Sequence, residues 1–155
     1  MGATPLQTEL SPLRPSWLRS RLAKWALVAY RLGLGPLLAR KVMVLTTIGR
    51  ASGSQRRTPL WYVREEDTFL CFSSWGGSSD WLKNVRAHPD VHLRVGSRGW
   101  RSRGRLVEDP EEVGRVSAVF AAKYGHRTMG LFYHLDRLAL VAFPVKGGGR
   151  DRDGG

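Results

Sequence analysis

Thr46-Thr47-Ile48-Gly49-Arg50-Ala51-Ser52-Gly53-Ser54-Gln55-Arg56-Arg57-Thr58-Pro59-Leu60 is the stretch on which the reading of the whole chain turns. Val42 to Ile48, leading into it, is short and rich in β-branched residues, which suits a strand. Gly49 to Pro59 then reads as a polar, flexible loop. Its glycines allow close backbone approach, and three arginines flank exposed hydroxyls, so the loop has the makings of a phosphate cradle. On composition alone, a solvated connection between two strands fits the same residues.

Downstream, Thr58 to Arg64 and Thr68 to Ser74 are strand-like runs separated by Glu65-Glu66-Asp67, a connection of hairpin length. A second glycine-bearing loop, Trp75-Gly76-Gly77-Ser78-Ser79, leads into Asp80 to Ala87, where Trp81, Leu82 and Val85 share a helical face before Pro89. Val91 to Val95 alternates, and Gly99 to Val107 follows the Gly96-Ser97-Arg98 turn as its hairpin partner. Asp109-Pro110-Glu111-Glu112 combines an N-cap, a first-turn proline and acidic residues at the positive dipole end, which predicts a helix to about Lys123. Leu138 to Val145 makes a last apolar strand.

Upstream, Trp17, Leu18, Leu22, Trp25, Val28 and Leu32 recur at helical spacing among Arg14, Arg19, Arg21, Lys24 and Arg31. This predicts a basic amphipathic helix from Ser16, ended by Gly33, Gly35 and Pro36; packing on the barrel and peripheral membrane attachment both suit it. Residues 1–13 read as a disordered lead-in and 147–155 as a disordered tail, leaving one domain over 14–146. Short turns between strands, with helices as inserts, favour an α+β, mainly β fold: a split antiparallel β-barrel with flanking helices rather than a doubly wound parallel sheet.

The chain has 155 residues and a formal net charge of +12, with 25 Lys and Arg against 13 Asp and Glu. An excess that is nearly all arginine implies an anionic partner: a phosphorylated ligand, a nucleic acid or an anionic membrane. The basic residues are scattered and no nucleic-acid recognition motif is present, so no specific nucleic acid is expected. Cys71 is the only cysteine, which excludes a disulfide framework and a Cys-based metal site, and His88 and His92 have no carboxylate at ligand spacing, so no metal is expected. No secretory h-region and no apolar run of spanning length occur, which predicts a cytoplasmic protein, with membrane association through the N-terminal helix. Neither Gly-x-Ser-x-Gly nor the Gly-Lys-Ser/Thr of a P-loop is present, against hydrolase and nucleoside triphosphatase chemistry.

Thr46 to Leu60 resembles the Thr-Thr-x-Gly-Arg-x-Ser-Gly-x-x-Arg-x-x-Pro-Leu signature of the flavin/deazaflavin (F420)-dependent nitroreductase and quinone reductase family. A second resemblance is Ser73-Ser74-Trp75-Gly76-Gly77 followed by Trp81, Leu82, Asn84, Val85, Ala87 and Pro89, similar to the family's Gly-Gly loop and its Trp-x-x-Asn-Leu-x-Ala-x-Pro helix. It covers roughly Leu38 to Val107 and implies a split barrel related to pyridoxamine-phosphate oxidases. By that resemblance Arg50, Ser52, Gly53, Arg56 and Thr58 would hold the phosphate and anionic tail of F420, and Pro59 would fix the exit into the next strand. Ala51 stands where the family often has lysine, with Arg57 as the nearby replacement. Ser73, Ser74, Gly76 and Gly77 would lie against the ring system, with Trp75 walling the pocket. Trp81 and Asn84 read as support positions, the one a core anchor and the other a helix-surface amide.

The activity implied is hydride transfer from reduced F420 to a hydrophobic acceptor: a quinone, an enone or a nitroaromatic. Tyr124, His126, Tyr133 and His134 are the candidate proton donors or acceptor-orienting groups, although a structural role is the first reading for each. An FMN-dependent reductase and a non-enzymatic binder of haem, fatty acid or another hydrophobic ligand are the other readings. A homodimer is expected, as split barrels commonly pair.

Overall fold

The computed structural model describes residues 28, 32, 39–73, 78–132 and 138–146. Apart from Val28 and Leu32, the expected N-terminal helix lies outside the described residues, as do the lead-in and the tail.

The described elements run β1 (Val42–Ile48), β2 (Gln55–Trp61), β3 (Val63–Glu65), β4 (Thr68–Ser73), α1 (Asp80–Ala87), β5 (Asp90–Val95), β6 (Arg98–Arg103), β7 (Arg105–Val107), α2 (Pro110–Tyr124), α3 (His126–Phe132) and β8 (Ala139–Pro144). They form two four-stranded sheets, ordered β2-β1-β5-β6 and β3-β4-β8-β7, in which every pairing is antiparallel. The fold is mainly β with flanking helices, as the sequence implies.

Two of the expected strands are each divided. Thr58 to Arg64 was expected as one strand; instead Tyr62 separates β2 in the first sheet from β3 in the second. Gly99 to Val107 likewise breaks at Gly104, with β6 in the first sheet and β7 in the second. These are the two corners at which strand runs directly into the other sheet; the chain also crosses from β4 to β5 by way of α1. Glycine is needed at the second corner: a Cβ on Gly104 would sit 2.7 Å from Val85 Cγ1 and 2.8 Å from the Phe143 ring.

One core lies between the sheets, where Met43, Leu45, Phe69, Cys71, Leu93, Val141 and Phe143 meet Leu82 and Val85 of α1. A second lies between the β3-β4-β8-β7 sheet and the helices, where Leu70, Phe72, Leu140 and Ala142 meet Val116, Phe120 and Tyr124 of α2 and Met129 of α3. β4 alternates Phe69 and Cys71 into one core with Leu70 and Phe72 into the other, which is why its sequence is apolar almost throughout. α2 starts where the sequence predicts, with Asp109 as N-cap accepting from the Glu111 N–H at 3.2 Å. α3 was not foreseen; it begins directly after Gly125, which ends α2 at φ +88°.

Candidate functional site

The stretch that decides the reading forms the β1–β2 hairpin. Ile48 pairs with Gln55, so the connecting turn is only Gly49–Ser54. It is closed by Gly49 N–H to Ser54 O and Gly53 N–H to Gly49 O, both 2.8 Å, and Ser54 N–H reaches Ser52 Oγ at 3.3 Å. Gly53 has φ +66° with open space where a Cβ would stand, so a left-handed turn residue there is also the least obstructed approach to the backbone. The expected strand from Thr58 therefore starts earlier: Gln55 to Arg57, read as part of the loop, are strand with Thr58 and Pro59, and all five pair residue for residue with β1 from Ile48 back to Val44.

Strand alternation then sorts the cationic residues. Arg56 and Thr58 share one face of β2, while Gln55, Arg57 and Pro59 share the other. A cleft of about 810 Å³ opens between the turn, β2 and the start of α1, lined by Arg50, Ser52, Arg56, Arg57, Thr58 and Asp80 among others. A second cavity of about 710 Å³ lies where Arg57 meets Thr46, Ile48, His92 and Arg101. Arg57 borders both, and Pro59 borders neither. Pro59 sits inside β2, an edge strand of its sheet, where a missing N–H is tolerated.

Helix α1 fastens the turn. Asn84 Oδ1 accepts from the Arg50 backbone N–H at 3.1 Å and from Arg50 Nη1 at 3.0 Å, while Arg50 Nη2 meets Asp80 Oδ1 at 3.0 Å. Asn84 was expected on the helix surface; it is instead buried, 4% exposed, and its amide is spent on the turn. Trp81 is the core anchor the sequence suggests. Arg50 is thus held mainly by protein, whereas Arg56 and Arg57 meet no carboxylate among the described residues. With Ser52 and Thr58 hydroxyls lining the same cleft, this donor set fits a phosphate: among the described residues, two guanidinium forks without a carboxylate partner, two hydroxyls, and one carboxylate, Asp80, that Arg50 already neutralises; Gly53 is open but does not line the cleft.

Other predicted positions lie elsewhere. Ser73 is fully buried, and its hydroxyl is 2.6 Å from that of Ser79, so the two ends of the Gly-Gly loop are clasped together. Ser74, Gly76, Gly77 and Tyr133 lie outside the described residues, as do Trp75 and His134. His126 is exposed at the start of α3. Tyr124 is in the second core: its ring stacks on Trp61 at 4.8 Å, and its hydroxyl accepts from Tyr62 N–H at 3.0 Å and donates toward Lys41 O and Tyr62 O at 2.7 and 2.6 Å. Lys123 Nζ covers Tyr62 O as well, at 2.8 Å. Burial raises the pKa of the Tyr124 hydroxyl, which holds its proton within this network. Burial likewise pushes the Cys71 thiol up.

Two four-stranded antiparallel sheets joined at two corners give a fold similar to that of solved pyridoxamine 5'-phosphate oxidase-like structures, with a TM-score of 0.56 at 14% identity to one from Listeria innocua over 81% of this chain and 94% of that one. Within that fold class the chain belongs to the F420H(2)-dependent quinone reductase family, whose model matches residues 19–131. It is 34% identical over 74 residues to an F420H(2)-dependent quinone reductase of Mycobacterium tuberculosis, covering 44% of this chain and 50% of that one. The chain thus spans about half the length of the curated relatives it matches. In fold it is similar to an F420-H2 dependent reductase, FDR-A, with a TM-score of 0.56 at 24% identity over 67% of this chain and 94% of that one. A chain described as a domain-swapped dimer gives a TM-score of 0.58 at 23% identity, over 82% and 96%. The family is one of oxidoreductases with the deazaflavin F420 as cofactor, and FMN is not needed to account for it. Among the described residues no helix is long and apolar enough to cross a membrane.

Proposed function

We propose that this chain is a reductase that takes hydride from reduced F420 and delivers it to a hydrophobic acceptor of the quinone, enone or nitroaromatic kind. The observation that carries the reading is that the family's motif falls on a cradle whose Arg56 and Arg57 have no carboxylate partner among the described residues. Reduced F420, when bound, supplies a hydride to an electron-poor centre.

The chain's own part is binding and orientation. Arg56 and Thr58, on one face of β2, and Ser52 in the turn grip the phosphate, while Gly53 leaves room for it against the backbone. Arg57, on the rim between the two cavities, takes the anionic tail. Arg50 contributes positive charge through a guanidinium held in place by α1. Ser74, Gly76 and Gly77 are assigned to the ring system by their place in the motif, while Ser73, buried and bonded to Ser79, is given the role of clasping that loop. Tyr124 is given no proton-transfer role, since its hydroxyl is consumed by the backbone of Tyr62 and Lys41; His126 and Tyr133 retain that candidacy. A pair of copies is the proposed working unit, as in the similar chain described as a domain-swapped dimer.

The test is anaerobic turnover of F420H2 with a soluble naphthoquinone, followed by the return of the oxidised cofactor's fluorescence. Protein-dependent oxidation that saturates in both reactants supports the reading. F420 binding without turnover of any quinone, enone or nitroaromatic would overturn the enzymatic part.

A further inference from the structure

Asn84 is a buried amide on a helix face otherwise given to Leu82, Val85 and Trp81. A buried amide is tolerated only when its polar atoms are paired, and here the pairing is with one residue of the cradle: backbone N–H and guanidinium of Arg50, at 3.1 and 3.0 Å. Its Nδ2 reaches Thr47 Oγ1, at the end of β1, at 3.4 Å. The turn that it grips is bounded by Gly49 and Gly53, residues that give up the most backbone freedom when fixed. Fixing such a turn before a ligand arrives removes that cost from binding.

We infer that Asn84 is a positioning residue for anion binding: through Arg50 it holds the Gly49–Ser54 turn in its receiving form in advance of the ligand. The inference rests on the cradle being the F420 phosphate site. It assigns Asn84 no contact with the cofactor; its effect passes through Arg50, which Asp80, one turn earlier on α1, also holds. The guanidinium N–H groups not used on Asn84 and Asp80 remain for the ligand.

A double-mutant cycle on the full chain tests this, reading F420 affinity by fluorescence. Asn84→Ala is expected to weaken binding about tenfold, and Arg50→Ala/Asn84→Ala to bind clearly tighter than the product of the two single effects, because the guanidinium that Asn84 holds is already gone and only its grip on the backbone N–H of residue 50 remains to be lost. Arg56→Ala/Asn84→Ala is expected to show the product of the two single effects. Unchanged affinity in Asn84→Ala, or full multiplication with Arg50→Ala, would overturn the inference while leaving the cradle in place. Wild-type affinity in both Arg50→Ala and Arg56→Ala would overturn the cradle itself and the inference with it. If Asn84→Ala does not fold, Arg50→Lys decides: it keeps the charge on an exposed turn but lacks the fork that Asn84 holds. Affinity near that of Arg50→Ala supports positioning, and wild-type affinity overturns it.

Discussion

Two helices of this molecule each send polar side chains into an interruption of the β-structure, and the two interruptions differ in what they leave over. At the β1–β2 turn, Asn84 of α1 secures Arg50 but leaves Arg56, Arg57, Ser52 and Thr58 facing a cleft. At the β2–β3 corner, Tyr124 of α2 captures Tyr62 N–H and a backbone carbonyl, Lys123 takes Tyr62 O, and Trp61 stacks on the tyrosine ring. The first arrangement satisfies the scaffold and keeps donors for a ligand. The second consumes its donors in bridging two sheets. Residue type alone does not separate them, since an arginine-rich turn and a buried tyrosine both look like chemistry in a sequence; the difference lies in whether a polar atom still has somewhere to go.

The largest expected effect is at the cradle. Arg56→Ala should weaken F420 binding by about 1.5–3 kcal/mol, the range for hydrogen bonds to charged groups, roughly tenfold or more. Its melting temperature should stay at the wild-type value, because the side chain is exposed and has no ion-pair partner among the described residues. Fluorescence titration beside thermal denaturation checks both halves.

Tyr124→Phe should do the reverse. It keeps the stack on Trp61 but strands Tyr62 N–H in the core, a loss of about 1–3 kcal/mol and several degrees in Tm, with F420 affinity unchanged. The corner also has a pH signature. Arg115 of α2 holds Glu65 of β3 through two contacts, 2.6 and 2.9 Å, and the hydrogen bond to Arg115 lowers the Glu65 pKa below its ordinary 4.5. A carboxylate depressed in the folded state stabilises fully above its unfolded pKa, and that contribution is lost as pH falls through the folded value. Glu65→Gln should therefore flatten the acid limb of Tm against pH, below about pH 5, and leave neutral-pH affinity alone. The smallest effect is expected from Asp80→Asn. The Arg50–Asp80 pair is exposed and worth little to stability, but removing the one carboxylate that lines the cleft among the described residues should tighten F420 binding about twofold.

Much of the cradle was legible because its elements are local. Val42 to Ile48 carries its strand in β-branched composition, Asp80 to Ala87 its helix in the spacing of Trp81, Leu82 and Val85, and α2 its start in Asp109-Pro110. Gln55 to Arg57 was read as loop because three exposed polar residues have no apolar alternation; hydrogen bonding to the edge of β1, not burial, makes them strand. The corners were not legible, since a strand that changes partners at Tyr62 or Gly104 keeps its alternation while its sheet changes. The burial of Asn84 and the particular bonds of Tyr124 were not legible for one reason: their partners, Arg50 at 34 residues' separation and Lys41 at 83, are supplied by tertiary packing. A glutamine or serine in place of Asn84 would read the same in sequence and would not reach Arg50 in the same way.

The most direct measurement is a side-by-side F420 titration of wild type, Arg56→Ala and Tyr124→Phe at moderate salt, where nonspecific attraction to the positively charged chain is screened. Saturable binding that drops tenfold or more only in Arg56→Ala is the expected result. Equal loss in Tyr124→Phe, or undiminished binding in Arg56→Ala, would contradict the division between a ligand-facing cradle and a structural corner.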